Sequence, residues 1–325
     1  PNYSGSPLEA ELTLSTVSGA ESIDITVIQE ADNSAFFGAS TEAGRKFVHK
    51  SGLATSVIFD DFYSLRDNVD VLEIQYMGNA SGTSAPYSLF VFDVRLGGKA
   101  AVAVSCTGND ASTVKAADTE LTGTSIVREK LAAMQADLTD ATVLGGVNGD
   151  FFYGAGSNPE RNNLLHGVMY KDGVCLKGTF DGGAACTVFA VMKDGTARIL
   201  TQSQYEAIGG RQHLLSSGVP ITFTDTRFEP RTVVGTGDDG KRVIIAVMDG
   251  RRDSYSVGAS YAVMADAMLA LGADDAINLD GGGSSTFAVK TGTGSDMDDF
   301  ETLNRPTDNA GERAVVNGLA IIEKL

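Results

Sequence analysis

Positive charge is scarce in this chain: 25 Lys and Arg stand against 42 Asp and Glu over 325 residues, a formal net charge of −17. A surface this acidic repels nucleic-acid phosphates and anionic lipid headgroups, so no nucleic-acid partner is expected. The three cysteines, Cys106, Cys175 and Cys186, are too few for a disulfide scaffold and lack the C-x-x-C spacing of a structural zinc site. The three histidines, His49, His166 and His213, lie far apart and none sits in H-E-x-x-H, which disfavours a zinc hydrolase. No apolar run approaches the roughly 18 residues of a membrane span, so no transmembrane segment is expected. Only seven prolines are present, and tryptophan is absent.

Glycine, by contrast, is abundant, with 38 residues, and it punctuates β-structure. Lys171-Asp172-Gly173, Lys193-Asp194-Gly195 and Asp238-Asp239-Gly240 each divide two apolar runs, and an Asp-Gly step supplies the positive φ angles of a hairpin turn. Two segments read as helices. Val127, Leu131, Met134 and Leu138 form one stripe after Ser125 as N-cap, and Val263, Met264, Ala267, Met268 and Leu271 form another that stops at Gly272. The fold class expected is α+β: mainly antiparallel sheet with hairpins and at least two packed helices. At about 150 residues per domain the length allows two units. Residues 1–55, with alternation at Leu12–Ser15 and Ile23–Val27, read as a β-rich N-terminal extension, and residues 56–325 as the main domain.

Four segments carry possible chemistry. In Asn278-Leu279-Asp280-Gly281-Gly282-Gly283-Ser284-Ser285-Thr286 an apolar strand ends in a carboxylate, three glycines and three hydroxyls, and Phe287 resumes a strand. Glycine there lets backbone N–H groups approach an anion. A solvated Gly/Ser turn is the plain alternative, and the strands holding both ends of so short a loop weigh against it. Asn148 and Asp150, two apart at the end of another strand, point to one face if extended; composition alone favours a simple Asn-Gly turn. Asp249, Gly250 and Arg251 follow a third apolar strand, where a solvated ion pair would be worth little. Arg305, Glu312 and Arg313 precede the last strand, where a charged connection is the plain alternative. Arg231, Arg251, Arg305 and Arg313 all sit at edges of apolar runs, where planar guanidinium groups suit phosphate oxygens.

Taken together, G-V-N-G-D-F-F (146–152), P-R-T-V-V-G (230–235), M-D-G-R (248–251), A-I-N-L-D-G-G-G-S-S-T (276–286) and N-R-P-T-D with E-R-A-V-V-N (304–317) strongly resemble the phosphodiester glycosidase family. The resemblance runs from about residue 85 to the C-terminus. It implies hydrolysis of a sugar-1-phosphodiester, of the N-acetylglucosamine-1-phosphodiester kind, releasing free sugar and leaving a phosphomonoester on a small glycoconjugate or glycan partner. It implies an extracytoplasmic setting after removal of a leader; the chain opens at Pro1 with neither Met nor a basic and apolar leader. In that setting Cys175 and Cys186 are candidates to pair, although buried free thiols are the simpler reading.

The residues expected to carry catalysis are Asp280, Asp150, Asp249 and Glu312. Those expected to bind substrate or phosphate are Asn148, Arg231, Thr232, Arg251, Asn278, Gly281, Gly282, Ser284, Ser285, Thr286, Arg305 and Arg313. A departing phosphomonoester is already a stable anion, so charge stabilisation matters more than protonation. Asp280 or Asp150 would face the anomeric carbon as nucleophile or as base for water, and the separation of the two carboxyls decides between retention and inversion. His166 is a lesser candidate as general acid. No cofactor is required on this route. The competing readings are a phosphodiesterase attacking phosphorus, with Asp150, Asp249 and Asp280 around Mg²⁺ or Ca²⁺, and a non-catalytic envelope carbohydrate-binding protein.

Overall fold

The computed structural model describes residues 2–19, 22–29, 36–110, 123–154, 163–181, 186–200, 205–308 and 311–325. The chain opens with strands β1 (Leu8–Ser15) and β2 (Ser22–Gln29), then helix α1 (Glu42–Ser51). Strands β3 (Ala54–Arg66), β4 (Val69–Gly78), β5 (Ala85–Arg95) and β6 (Ala100–Cys106) precede helix α2 (Val127–Asp137) and strand β7 (Ala141–Asn148). The middle supplies β8 (Met169–Lys171), β9 (Val174–Lys177), β10 (Cys186–Val191), β11 (Ala197–Leu200), β12 (Glu206–Ser216) and β13 (Val219–Pro220). After β14 (Arg231–Gly237) and β15 (Arg242–Met248) come helix α3 (Tyr261–Leu271), β16 (Asp275–Asn278), β17 (Phe287–Lys290), β18 (Phe300–Thr302) and β19 (Asn317–Lys324).

Among the described residues all strand pairings are antiparallel. A large sheet runs β11-β10-β12-β16-β14-β15-β5-β4-β3, with β8, β9 and β13 attached to its β12 side, and a smaller one runs β18-β17-β7-β19-β6. Strand periodicity then builds the layers, because alternate side chains face opposite ways. From β15, Val243, Ile245 and Val247 enter the core between the sheets, where Phe92, Leu144, Phe287, Leu319 and Ile321 meet them. The intervening Ile244, Ala246 and Met248 turn outward, onto Phe47 and Val48 of α1 and Met264 and Met268 of α3. On the far side of the smaller sheet, Val143, Ala320 and Ile322 pack on Val127, Leu131 and Met134 of α2. The molecule is thus four-layered: α2, five-stranded sheet, large sheet, then α1 with α3. The α+β, mainly β expectation holds.

Local chemistry explains the element ends. The Asp-Gly turns form where expected: Asp172 and Gly173 have φ of 51° and 78°, and Asp238, Asp239 and Gly240 all have positive φ between β14 and β15. Gly272 closes α3 in the left-handed region at φ 96°. One cap differs. Helix α2 is capped by Ile126, whose N–H is accepted by the Glu129 carboxylate, while Ser125 bridges to Val315 instead. Cys106 is buried and Cys175 exposed, both as free thiols; the side chain of Cys186 lies outside the described residues. No helix among the described residues is long and apolar enough to cross a membrane.

Candidate active site

The ends of β7 and β16 bring the first and last motifs together. Antiparallel pairing sets β19 against β7, with Gly318 opposite Asn148, and seats β16 between β14 and β12, with Arg211 opposite Asn278. The N–H of Asp280 donates to the carbonyl of Gly149 at 2.9 Å, so the two sheets are joined where both strands end. Asn148 is fully buried at this junction. Its Nδ2 donates to the Asp280 carbonyl at 2.7 Å, while its Oδ1 accepts from Thr232 Oγ1 at 2.7 Å and from the Thr286 N–H at 3.1 Å.

Asp150 and Asp280 form an interacting carboxyl pair. Asp150 is 2% exposed, and its oxygens accept the N–H groups of Gly167 (2.6 Å) and Phe151 (2.7 Å). Burial pushes it up to about 7 against the pull of those two N–H groups, with the Asp280 charge adding to the rise and Lys177 opposing it. Its seat depends on two glycines: a Cβ on Gly167 or Gly209 would come within 2.6 Å of the other's Cα and within 2.7 Å of the Asp150 carboxylate. Asp280 accepts from Ser284 Oγ at 2.6 Å and from the Gly281 N–H at 2.9 Å. Burial raises it to about 6; Ser284, Gly281 and the cations of Arg313 and Arg211 hold it below Asp150. A buried carboxyl, Asp150, and a half-buried one, Asp280, both raised from the ordinary value and with Asp280 the lower of the two, suit an acid/base pair.

Arg211 is the cation the sequence did not disclose. It lies on β12, its guanidinium carbon 5.0 Å from the Phe151 ring centroid, and Nη2 donates to His166 Nδ1. The register of β12 against β16 slips just after it, and Gln212 adopts φ 59°, a bulge of the type that re-aims a neighbouring side chain. Its Nε is buried without a protein hydrogen-bond partner, as are Asn278 Oδ1, Ser285 Oγ and Asn317 Nδ2. A hint did exist: Gly209 and Gly210 precede Arg211 inside a strand, and glycine in a strand marks close backbone approach.

Arg313 also belongs here. It grips Asp308 with Nε and Nη2 at 2.7 and 2.9 Å and offers Nη1 to Ser284 Oγ at 3.2 Å. The remaining predicted residues spread more widely. Arg251 carries φ 58° and pairs with Glu229 at 2.5 Å beside Gly282, on the outer edge of the glycine loop. Arg231 is buried, donating to the carbonyls of Ala259 and Arg227 and stacking on Tyr261 at 4.1 Å. Arg305 stacks on Tyr255 at 4.0 Å. Glu312 accepts from Arg128 of α2 at 2.5 Å and from Thr302 at 2.7 Å, so the structure directs it to the small sheet's outer layer and not to the carboxyl pair.

Asp249 is buried and raised by desolvation, but its oxygens serve Asn304 Nδ2 (2.8 Å) and the Arg305 N–H (2.7 Å). Asn304 in turn donates to the Ser285 carbonyl at 3.0 Å and accepts the Phe287 N–H at 2.7 Å. Asp249 therefore acts on the glycine loop through Asn304. Among the described residues no group of three His, Cys, Asp or Glu side chains stands close enough together to hold a metal ion.

A four-layer α+β sandwich with a carboxyl pair where its two sheets meet is the class this geometry defines. The phosphodiester glycosidase family model matches residues 141–322, more than half of the chain, and the chain belongs to that family. The SPbeta prophage-derived protein YomE of Bacillus subtilis is 30% identical over 181 residues, 49% of this chain and 26% of that protein's own length. Among solved structures, the zebrafish N-acetylglucosamine-1-phosphodiester α-N-acetylglucosaminidase catalytic domain, auto-inhibited by its pro-peptide, superposes with TM-score 0.56 at 20% identity, covering 81% of this chain and 88% of that one. A hypothetical protein from Synechocystis superposes with TM-score 0.52 at 12% identity over 82% and 64%. These two share the fold. Family membership supports a hydrolase of glycosidase type.

Proposed function

We propose that this chain hydrolyses a sugar-1-phosphodiester at the anomeric C–O bond, releasing free sugar and leaving a phosphomonoester on a small glycoconjugate or glycan. The observation that carries the reading is the Asp150–Asp280 pair set beside two arginines. Asp280 is the better candidate to face the anomeric carbon, because Arg211 and Arg313 favour its ionised form and Ser284 orients it. Asp150, pushed up to about 7 by burial, still holds a proton in about half of the molecules at neutral pH and would donate it to substrate or leaving oxygen. Arg211 and Arg313 would meet the phosphate, so the charge that leaves the sugar departs toward cations, while the N–H groups of Gly281, Gly282 and Ser284 are taken by Asp280, Pro230 and Gly281 and serve to shape the loop. No cofactor takes part, and an extracytoplasmic setting completes the proposal.

The test is hydrolysis of a panel of sugar-1-phosphodiesters, N-acetylglucosamine-1-phosphodiesters first, followed as release of reducing sugar in ¹⁸O-labelled water. Label at the sugar C1 hydroxyl is expected. Label in the phosphomonoester would mean attack at phosphorus and would overturn the reading, and so would the absence of turnover across the panel.

A further inference from the structure

The hairpin β1–β2 stands off the body of the fold. Every one of its strand residues is exposed, and among the described residues β1 and β2 pair with no other strand. Its root is fixed: Arg45 of α1 donates to the carbonyls of Tyr3 (2.5 Å) and Ser4 (2.9 Å), and Asn2 Nδ2 donates to the carbonyls of Ser6 (2.6 Å) and Gln29 (3.2 Å). The register places Ala10 opposite Val27, Leu12 opposite Ile25 and Leu14 opposite Ile23, and these six share one face with Leu8. That face carries no charged residue. Glu9, Glu11, Thr13, Asp24 and Thr26 occupy the other together with Ile28, and there Thr13 Oγ1 donates to Asp24 at 2.6 Å.

A two-stranded hairpin alone in water is marginally stable and needs its apolar face covered. Here Leu8, Leu12, Leu14, Ile23 and Val27 are 46–61% exposed, a patch on the order of several hundred Å², the size that marks interaction surfaces. We infer that the apolar face of β1–β2 packs on the same face of a second copy of this chain, as two stacked sheets. The occupant follows from charge and area. At −17, two copies repel wherever their general surfaces meet, and this face is the charge-free one, with its carboxylates turned outward to solvent. Two such patches together bury on the order of 1,000 Å², the threshold of a specific interface. The arrangement is isologous, so it closes at two copies.

Sedimentation analysis of the full chain across the micromolar range tests this. A reversible dimer is expected, converted to monomer by Leu12→Glu with Ile25→Glu and unchanged by Thr26→Lys, which faces Glu11 on the opposite face. Far-UV circular dichroism and thermal unfolding of the domain report whether each variant folds; both are expected to be preserved because the altered side chains are exposed. A monomer at all concentrations, a dimer indifferent to Leu12 and Ile25, or a stoichiometry other than two would overturn the inference.

Discussion

Thr232 Oγ1 donates to Asn148 Oδ1 at 2.7 Å, and through that bond the start of β14 in one sheet holds the end of β7 in the other. The same amide supports the Asp280 carbonyl and the Thr286 N–H, so one buried side chain fixes both ends of the glycine loop. Asn148→Ala would leave a buried hydroxyl, an N–H and a carbonyl short of partners. At about 1–3 kcal/mol for an unsatisfied buried group, partly relieved by relaxation, the expected loss is roughly 2–4 kcal/mol. Urea unfolding should show it as a lowered midpoint with unchanged slope. Thr232→Val should cost less, because it removes one donor and keeps the shape.

Asp280→Asn separates stability from catalysis. The folded value of about 6 lies above the ordinary carboxyl value of 3.8, so the folded chain holds a proton that the unfolded chain has released between about pH 4 and 6. Stability contributed by this group is therefore highest below about pH 4 and falls as pH rises, the deficit being complete above about 6. The asparagine removes that deficit, and its amide can still serve Ser284 and Gly281. The variant should gain about 1–3 kcal/mol near pH 8 and nothing near pH 4, while turnover drops by roughly a thousandfold or more with substrate affinity little changed. Equal losses of affinity and rate would point to a binding protein.

The pH–rate profile reads the pair as a unit. With Asp280 ionised and Asp150 protonated as the active form, kcat/KM should rise through about pH 6 and fall through about pH 7, a narrow bell whose limbs belong to the coupled pair. Arg211→Ala removes a cation that lowers Asp280, so the acid limb should move to higher pH and KM should rise. Arg211→Lys should recover the limb more than KM, since a point charge replaces a planar fork.

Much of the scaffold was legible because local rules and tertiary structure agree: the Asp-Gly turns, the α3 stripe ending at Gly272, and the apolar strands that stop at Asn148, Asn278 and Met248. Helix α1 was not, because its buried face is little more than Phe47 and Val48 within a polar run, anchored by the Thr41 cap. The site was half legible. Strand ends announce Asp150, Asp249 and Asp280, but which carboxylates face each other depends on how two sheets stack, and that relation is non-local. Arginine gave the weakest guide. Arg231 and Arg305 sit where the motifs suggest, yet aromatic rings and backbone carbonyls claim them, while Arg211 reaches the pair through a bulge that no short motif signals.

Glu312 puts that distinction to experiment. If its carboxylate took part in the chemistry, Glu312→Gln would cost orders of magnitude in turnover. The structure instead seats it between Arg128 and Thr302, with 7% of the side chain exposed, as a clamp between α2 and the end of β18. A neutral amide keeps the Thr302 hydrogen bond and loses the charge opposite Arg128. The expected outcome is a loss of about 1–3 kcal/mol in unfolding free energy, with kcat within a few-fold of the parent and an unmoved pH profile. A collapse in kcat at full stability would return Glu312 to the catalytic group and displace the Asp150–Asp280 pair as sole acid and base.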